Sequence, residues 1–103
     1  MPTELVYLHR DNTIDLQLVA DGASVNLAGV TRMQLLDVGG GFAVDAVISP
    51  SAFDWEVGDG VIHLALGDEA IPAGTYDCWL VVHDVATPDG IVWGKLKIVV
   101  IAI

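Results

Sequence analysis

The sequence predicts an all-β domain built as an antiparallel β-sandwich of seven to eight strands. Segments rich in β-branched and aromatic residues recur along the chain, separated by turn signals about every 8–14 residues. No segment has the 3.6-residue apolar period of an amphipathic helix. A length of 103 residues corresponds to a single domain, and we assign residues 1–103 to it.

The clearest predicted element is a closing β-hairpin within residues 73–101. Two long β-favouring runs, Thr75–His83 and Ile91–Ile101, lie on either side of Thr87-Pro88-Asp89-Gly90. Proline presets φ for the turn, and glycine supplies a position with positive φ. The last two strands are therefore expected to pair with each other.

The rest of the chain supplies the other strands, several of which alternate apolar and polar residues with a period of two. We predict strands at Glu4–His9, Thr13–Val19, Val30–Val38, Phe42–Ile48 and Val61–Leu66, with shorter pieces at Val25–Leu27 and Trp55–Val57. The alternation also predicts the core, which should contain Leu16, Leu18, Met33, Leu35, Ile62, Leu64, Tyr76, Cys78, Leu80, Leu96 and Ile98.

The composition predicts more apolar surface than a small monomer can bury. Apolar residues make up 53% of the chain and charged residues 17%, against about 45–50% and 25% in typical domains. Excess apolar surface on a globular domain usually marks an interface.

Four basic residues stand against fourteen acidic ones, which gives a net charge of −10. Nucleic-acid binding requires a basic surface that can neutralise phosphates, so we expect no nucleic-acid partner. Anionic membranes are disfavoured for the same reason, and no apolar run approaches the length of a membrane span. The acidic excess favours solubility, with a metal-binding acidic surface as the alternative.

No set of acid, base, nucleophile or metal ligands converges in the sequence. Cys78 is the only cysteine, so it cannot form an internal disulfide, and we interpret it as a small buried apolar residue. His9, His63 and His83 lie on three different predicted strands with no ligand spacing. We therefore predict a protein that is not an enzyme and has neither a cofactor nor a metal ion.

The three tryptophans allow two interpretations. Trp55, Trp79 and Trp93 are either ordinary packing residues or a contact surface for a sugar or a protein. Trp79 and Trp93 lie on the two strands of the closing hairpin, which should pair. This pairing would allow the two rings to be cross-strand neighbours on one face.

The end of the chain predicts a protein interface. After Lys97, residues 98–103 are apolar without interruption. A strand with one face in water should alternate, and a terminal strand left uncovered is an aggregation template. We therefore expect Val99, Ile101 and Ile103 to be covered by a second copy of the chain or by another protein.

Tyr76 and Cys78 have the Tyr-x-Cys spacing found in the sixth strand of immunoglobulin-type sandwiches. There, the tyrosine lies at a corner and bonds to the backbone a few residues upstream. The second cysteine of that pattern is absent, so only the tyrosine half of the pattern applies.

The order of the segments carries a family resemblance over nearly the whole chain. It rests on the opening strand at residues 10–18, the turn at Asp21-Gly22, the segment at residues 25–30, the strand at residues 61–66 and the strand entry at Ile71–Tyr76. In this order, the chain resembles the N-terminal immunoglobulin-like domain of bacteriophage upper baseplate proteins and related small virion proteins of tailed phages.

This resemblance implies an immunoglobulin-like β-sandwich and a virion protein assembled in the host cytoplasm, with no catalytic residues to transfer. Its expected role is structural, as a head decoration or cement protein or as a tail or baseplate adaptor. Its expected partners are other virion proteins or copies of itself in a homo-oligomer. A carbohydrate- or receptor-binding β-sandwich module is the alternative.

Overall fold

A computed structural model describes residues 3–103, and these residues form an all-β structure, as predicted. They contain one short 3-10 helix, Pro50–Ala52, and no helix long and apolar enough to cross a membrane. The ten strands of this part of the chain are β1 (Thr3–Tyr7), β2 (Ile14–Gln17), β3 (Val19–Ala20), β4 (Ala23–Ser24), β5 (Val30–Asp37), β6 (Ala43–Asp45), β7 (Phe53–Glu56), β8 (Val61–Leu64), β9 (Gly74–Asp84) and β10 (Ile91–Ile101).

Two sheets enclose one core. The large sheet has the strand order β1-β10-β9-β5-β6, and the small sheet has the order β2-β8-β7. Strands β3 and β4 form a separate two-stranded hairpin. Apolar side chains from both sheets meet between them, including Ile14, Ile62 and Leu64 from the small sheet and Met33, Leu35, Leu80 and Ile98 from the large one.

The first strand corrects the expectation of a wholly antiparallel sandwich. Strand β1 pairs with β10 in parallel, from Thr3 opposite Lys97 to Tyr7 opposite Ile101. The other ladders of residues 3–103 are antiparallel. A tight turn forces two strands to run antiparallel, but β1 and β10 lie at opposite ends of the chain, so no turn fixes their relative direction.

The closing hairpin forms as predicted, with strands of eleven residues each. Gly90 has φ of 84° and donates its N–H to the Thr87 carbonyl at 3.0 Å. A Cβ on Gly90 would come within 2.6 Å of Val81 Cγ1, so glycine is required by both backbone conformation and space. Asp84 closes the other side of the turn, since its Oδ1 accepts the Thr87 N–H at 2.7 Å.

The predicted strand Phe42–Ile48 is shorter in the structure because Asp45 turns the chain. Its carboxylate accepts the Val47 N–H at 3.0 Å, and its carbonyl accepts the Ser49 N–H at 2.7 Å. Aspartate commonly starts turns of this kind. The strand β6 therefore ends at Asp45, and Val47 and Ile48 project from a loop.

The core prediction is confirmed for Leu18, Met33, Leu35, Ile62, Leu64, Cys78, Leu80, Leu96 and Ile98. Leu16 and Tyr76 differ, because both pack against the core while remaining partly exposed. The ring of Tyr76 meets that of Phe42 edge-on, with the two ring centres 5.0 Å apart. Its hydroxyl donates to the Pro72 carbonyl at 2.5 Å, a bond to the upstream backbone of the predicted kind.

Candidate functional site

The outer face of the large sheet holds a block of apolar side chains where β1 meets β10. Leu5 lies beside Val99, and Tyr7 lies beside Ile101. Leu5 is 45% exposed, and the other three are half-buried. Their neighbours along each strand, such as Val6 and Val100, point into the core. We call Leu5, Tyr7, Val99 and Ile101 the apolar outer patch.

The patch includes two of the three residues predicted as an interface. Val99 and Ile101 belong to it, whereas Ile103 lies beyond the end of β10 and is 73% exposed. Strand β10 is not an open edge, because β1 and β9 pair with its two sides. The surface that β10 offers to a partner is therefore its outward side chains and not its backbone.

Three of the four basic residues lie on this same outer face. Lys95 and Lys97 alternate with the inward Leu96 and Ile98, and Arg32 alternates with Met33. The ammonium of Lys95 lies 4.8 Å from the centre of the Trp79 ring, a cation–π contact. Acidic side chains lie on this face as well, since Asp77 stands opposite Lys97 and Asp45 pairs with Arg32, so the apolar outer patch adjoins residues of both charges.

Away from the patch, polar side chains on the same face form a network of hydrogen bonds and one salt bridge. The Arg32 guanidinium forms a salt bridge with Asp45, donating to Oδ1 from Nε at 2.9 Å, and Gln34 Nε2 donates to Asp45 Oδ2 at 3.1 Å. This guanidinium lowers the pKa of Asp45 to about 2. Gln34 Oε1 lies 2.8 Å from Nε2 of His83, which is buried, and His83 Nδ1 lies 3.0 Å from the Pro88 carbonyl. The network therefore ties three strands to the hairpin turn.

The three tryptophans do not share one face. Trp79 points outward from β9 and is 36% exposed, whereas Trp55 and Trp93 pack against the core. Trp79 and Trp93 are not cross-strand neighbours because the β9–β10 register shifts between Val92 and Gly94. Trp93 is the extra residue at this irregularity. A sugar platform made of all three rings is therefore not present.

The outer face of the small sheet brings together three charged side chains that the sequence analysis treated separately. His63 Nδ1 lies 2.7 Å from Asp15 Oδ1, and His63 Nε2 lies 3.2 Å from Glu56 Oε2. The bond to Asp15 raises the pKa of His63, and Glu56 adds to that effect. The bond to His63 lowers the pKa of Asp15. We call these three residues the His63 cluster.

The His63 cluster has the geometry of an ion-pair network. Both ring nitrogens of His63 contact carboxylates, so neither is placed to take a proton from a substrate. The nearby Thr13 hydroxyl donates to Asp15 at 3.0 Å and is not bonded to the imidazole. Alternation places each residue on a polar strand face, but only the register of β2 and β7 on either side of β8 brings them together.

Cys78 is fully buried, as predicted. Burial raises the pKa of its thiol to about 12, and the negative charges of Asp37 and Asp77 add to the effect. Because the thiolate is the reactive form, this thiol is inert. Among residues 3–103, no three His, Cys, Asp or Glu side chains are arranged to hold a metal ion.

Comparison with protein-family models, with curated proteins and with solved structures found no match for this chain.

Proposed function

We propose that this protein is a non-catalytic, immunoglobulin-like β-sandwich that works by protein–protein contact as a structural component of a bacteriophage particle. Its place is on the head as a decoration or cement protein, or in the tail or baseplate as an adaptor. Its partners are copies of itself or other virion proteins. The observation that carries the proposal is the apolar outer patch, since a solvated sheet face should be polar.

The immunoglobulin-like part of the proposal is supported by β9. Tyr76 lies near its start, returns its hydroxyl to the backbone four residues upstream, and is followed two residues later by the buried Cys78. Immunoglobulin-type sandwiches have this tyrosine corner before the cysteine of their sixth strand. The phage assignment rests on the order of the segments along the chain.

The contact role is supported by the combination of side chains on the outer face of the large sheet. Fully burying an aliphatic side chain contributes about 1.5–3 kcal/mol, so covering several partly exposed ones is significant for an interface. Copies of a chain with net charge −10 repel each other over most of their surface. The four side chains of the apolar outer patch carry no charge, so the patch itself does not add to that repulsion.

The alternative, a sugar- or receptor-binding module, has less support. Trp79 is the tryptophan that faces outward, and Lys95 already covers its ring. Sugar stacking requires an open aromatic face, so this ring is poorly placed for it.

The test of the patch is self-association of a double variant, Val99→Ser with Ile101→Ser. Sedimentation of the unmodified protein should show an oligomer at high micromolar concentration, and the double variant should be monomeric. Val47→Ser with Ile48→Ser is the matched control, since it removes the same two residue types from an exposed loop. The control should associate like the unmodified protein.

The test of the phage role is the protein content of particles. The protein should be found by mass spectrometry in purified particles, at a fixed copy number, and its gene should lie beside capsid or tail genes. Two results together would contradict the contact role. The unmodified protein would be monomeric, and the Val99 and Ile101 changes would leave its incorporation into particles unchanged.

A further inference from the structure

We propose that protonation of His83 controls whether the closing-hairpin turn is bound to the outer face of the large sheet. The protonated ring binds the turn, and the neutral ring releases it. His83 alternates with the inward Val82 on β9, so its ring lies on the outer face, yet the residue is only 6% exposed. A Cβ built on Gly90 would lie 2.8 Å from Cε1 of the ring, so the turn itself covers the imidazole.

Both ring nitrogens of His83 face oxygen atoms that accept hydrogen bonds. Nδ1 lies 3.0 Å from the Pro88 carbonyl oxygen, which can only accept. Nε2 lies 2.8 Å from Oε1 of Gln34, which is also an acceptor. A neutral imidazole has one N–H group and one nitrogen lone pair, so it can donate to only one of these two oxygens. The protonated ring donates to both.

The orientation of the Gln34 amide is set by its other partner, Asp45. Gln34 Nε2 donates to Asp45 Oδ2 at 3.1 Å. Asp45 stays ionised over the range in which imidazoles titrate, because the Arg32 guanidinium lowers its pKa to about 2. Reversing the amide would place its oxygen against this carboxylate and lose the bond. Gln34 therefore presents its oxygen, and not its NH₂ group, to His83.

The two neutral tautomers of His83 lose different contacts. A ring protonated at Nε2 keeps the bond to Gln34 and turns the lone pair of Nδ1 toward the Pro88 carbonyl oxygen. A ring protonated at Nδ1 keeps the bond to Pro88 but disturbs Gln34, and through Gln34 the bond to Asp45. Hydrogen bonds to an ionised partner are stronger than those between neutral groups, so the first tautomer is favoured. Loss of the proton therefore frees the Pro88 carbonyl, and with it the turn.

Charged side chains surround the ring on the strands and the turn packed against it. Arg32 stands opposite His83 in the β5–β9 ladder, and its guanidinium is engaged in the salt bridge described above. Asp84 ends β9, and bonds from the Thr87 hydroxyl and N–H, both 2.7 Å long, lower its pKa. Asp89 lies exposed within the turn. Carboxylates ordinarily titrate about two pH units below imidazole, so a transition near neutral pH identifies the ring.

The experiment is an NMR titration of the unmodified protein between pH about 5 and about 8. It follows the ring nitrogen shifts of His83, the carbonyl carbon shift of Pro88 and the amide shift of Gly90. Both ring nitrogens should be protonated at the acid end, and Nε2 alone at the other. The Pro88 and Gly90 shifts should move with the same midpoint as the ring. A ring with one proton at every pH, a neutral ring protonated at Nδ1, or turn shifts that do not follow the ring overturns the inference.

Three variants assign the transition to one group. His83→Gln should abolish the movement of the Pro88 and Gly90 shifts with pH. His63→Gln, which makes the same change on the small sheet, and Asp89→Asn, which removes the carboxylate within the turn, should both keep it. A transition that survives in His83→Gln, or that is lost in either control, overturns the inference. If His83→Gln does not fold, the ring and carbonyl shifts of the unmodified protein decide alone.

Discussion

The outer faces of the two sheets differ in which side chains they expose. On the small sheet, apolar residues point inward while Asp15, His63 and Glu56 form an ion-pair network outside. On the large sheet, the outer face is apolar where β1 meets β10, and both basic and acidic side chains lie beside that region. The first pattern is that of an ordinary solvated sheet. The proposed contact role rests on the second pattern.

This difference has a consequence for stability. Outward apolar side chains contribute little to folding as long as they remain in water, whereas their inward neighbours on the same strand form the core. Adjacent positions on β10 therefore offer the most direct comparison between the core and the outer face of the sheet.

The largest effect is expected from Val100→Ala, because Val100 is 3% exposed and packs in the core. Loss of two buried methyl groups, with the cavity they leave, should lower the free energy of unfolding by about 2–3 kcal/mol. Val99→Ala, the same change one residue earlier on the outer face, should cost less than about 1 kcal/mol. Urea unfolding at low protein concentration measures both, and equal losses would place Val99 in the core.

An intermediate effect is expected from Asp45→Asn on the large sheet. The change removes the salt bridge with Arg32, and the loss of charged hydrogen bonds should cost about 1–3 kcal/mol at neutral pH. Because the folded pKa of Asp45 is lowered to about 2, its contribution is present above its ordinary value and is lost as the pH falls through about 2.

The unfolding free energies of Asp45→Asn and the unmodified protein should therefore converge in acid. Asp11→Asn, at an exposed aspartate between β1 and β2, is the control and should leave stability unchanged at neutral pH. A difference between Asp45→Asn and the unmodified protein that persists at the lowest pH would show that packing and not charge is responsible.

The smallest effect is expected from His63→Gln, and it should appear as a change in pH dependence. The folded pKa of His63 is raised, so its contribution is fully present below its ordinary pKa and is lost as the pH rises through the folded value. Asp15, with a lowered pKa, contributes above its ordinary value and loses that contribution in acid.

Urea unfolding midpoints at pH about 5.5 and about 8.5 compare the stability of the fold before and after the His63 contribution is lost. His63→Gln should reduce the loss of stability between them. If His63→Gln behaves like the unmodified protein, the carboxylates around His63 do not stabilise the fold.

The sequence by itself determined the local features of this protein. Alternation with a period of two identified the inward residues of β5, β8 and β10, because side chains of a strand point to opposite faces whatever its neighbours are. Pro88 and Gly90 specified the closing hairpin because their allowed φ values fit its turn. The absence of a second cysteine and the shortage of basic residues were enough to predict that Cys78 is a buried apolar residue and not a nucleophile.

The tertiary structure alone decided which strands became neighbours. Asp15 and His63 are 48 residues apart and meet because β2 and β8 pair in one register. Leu5 and Val99 meet because β1 joins the large sheet in parallel. One extra residue, Trp93, shifts the β9–β10 register, so that Trp93 packs against the core while Trp79 points outward. Pairing, register and bulges depend on the packing of the whole chain, and a local pattern of residues does not encode them.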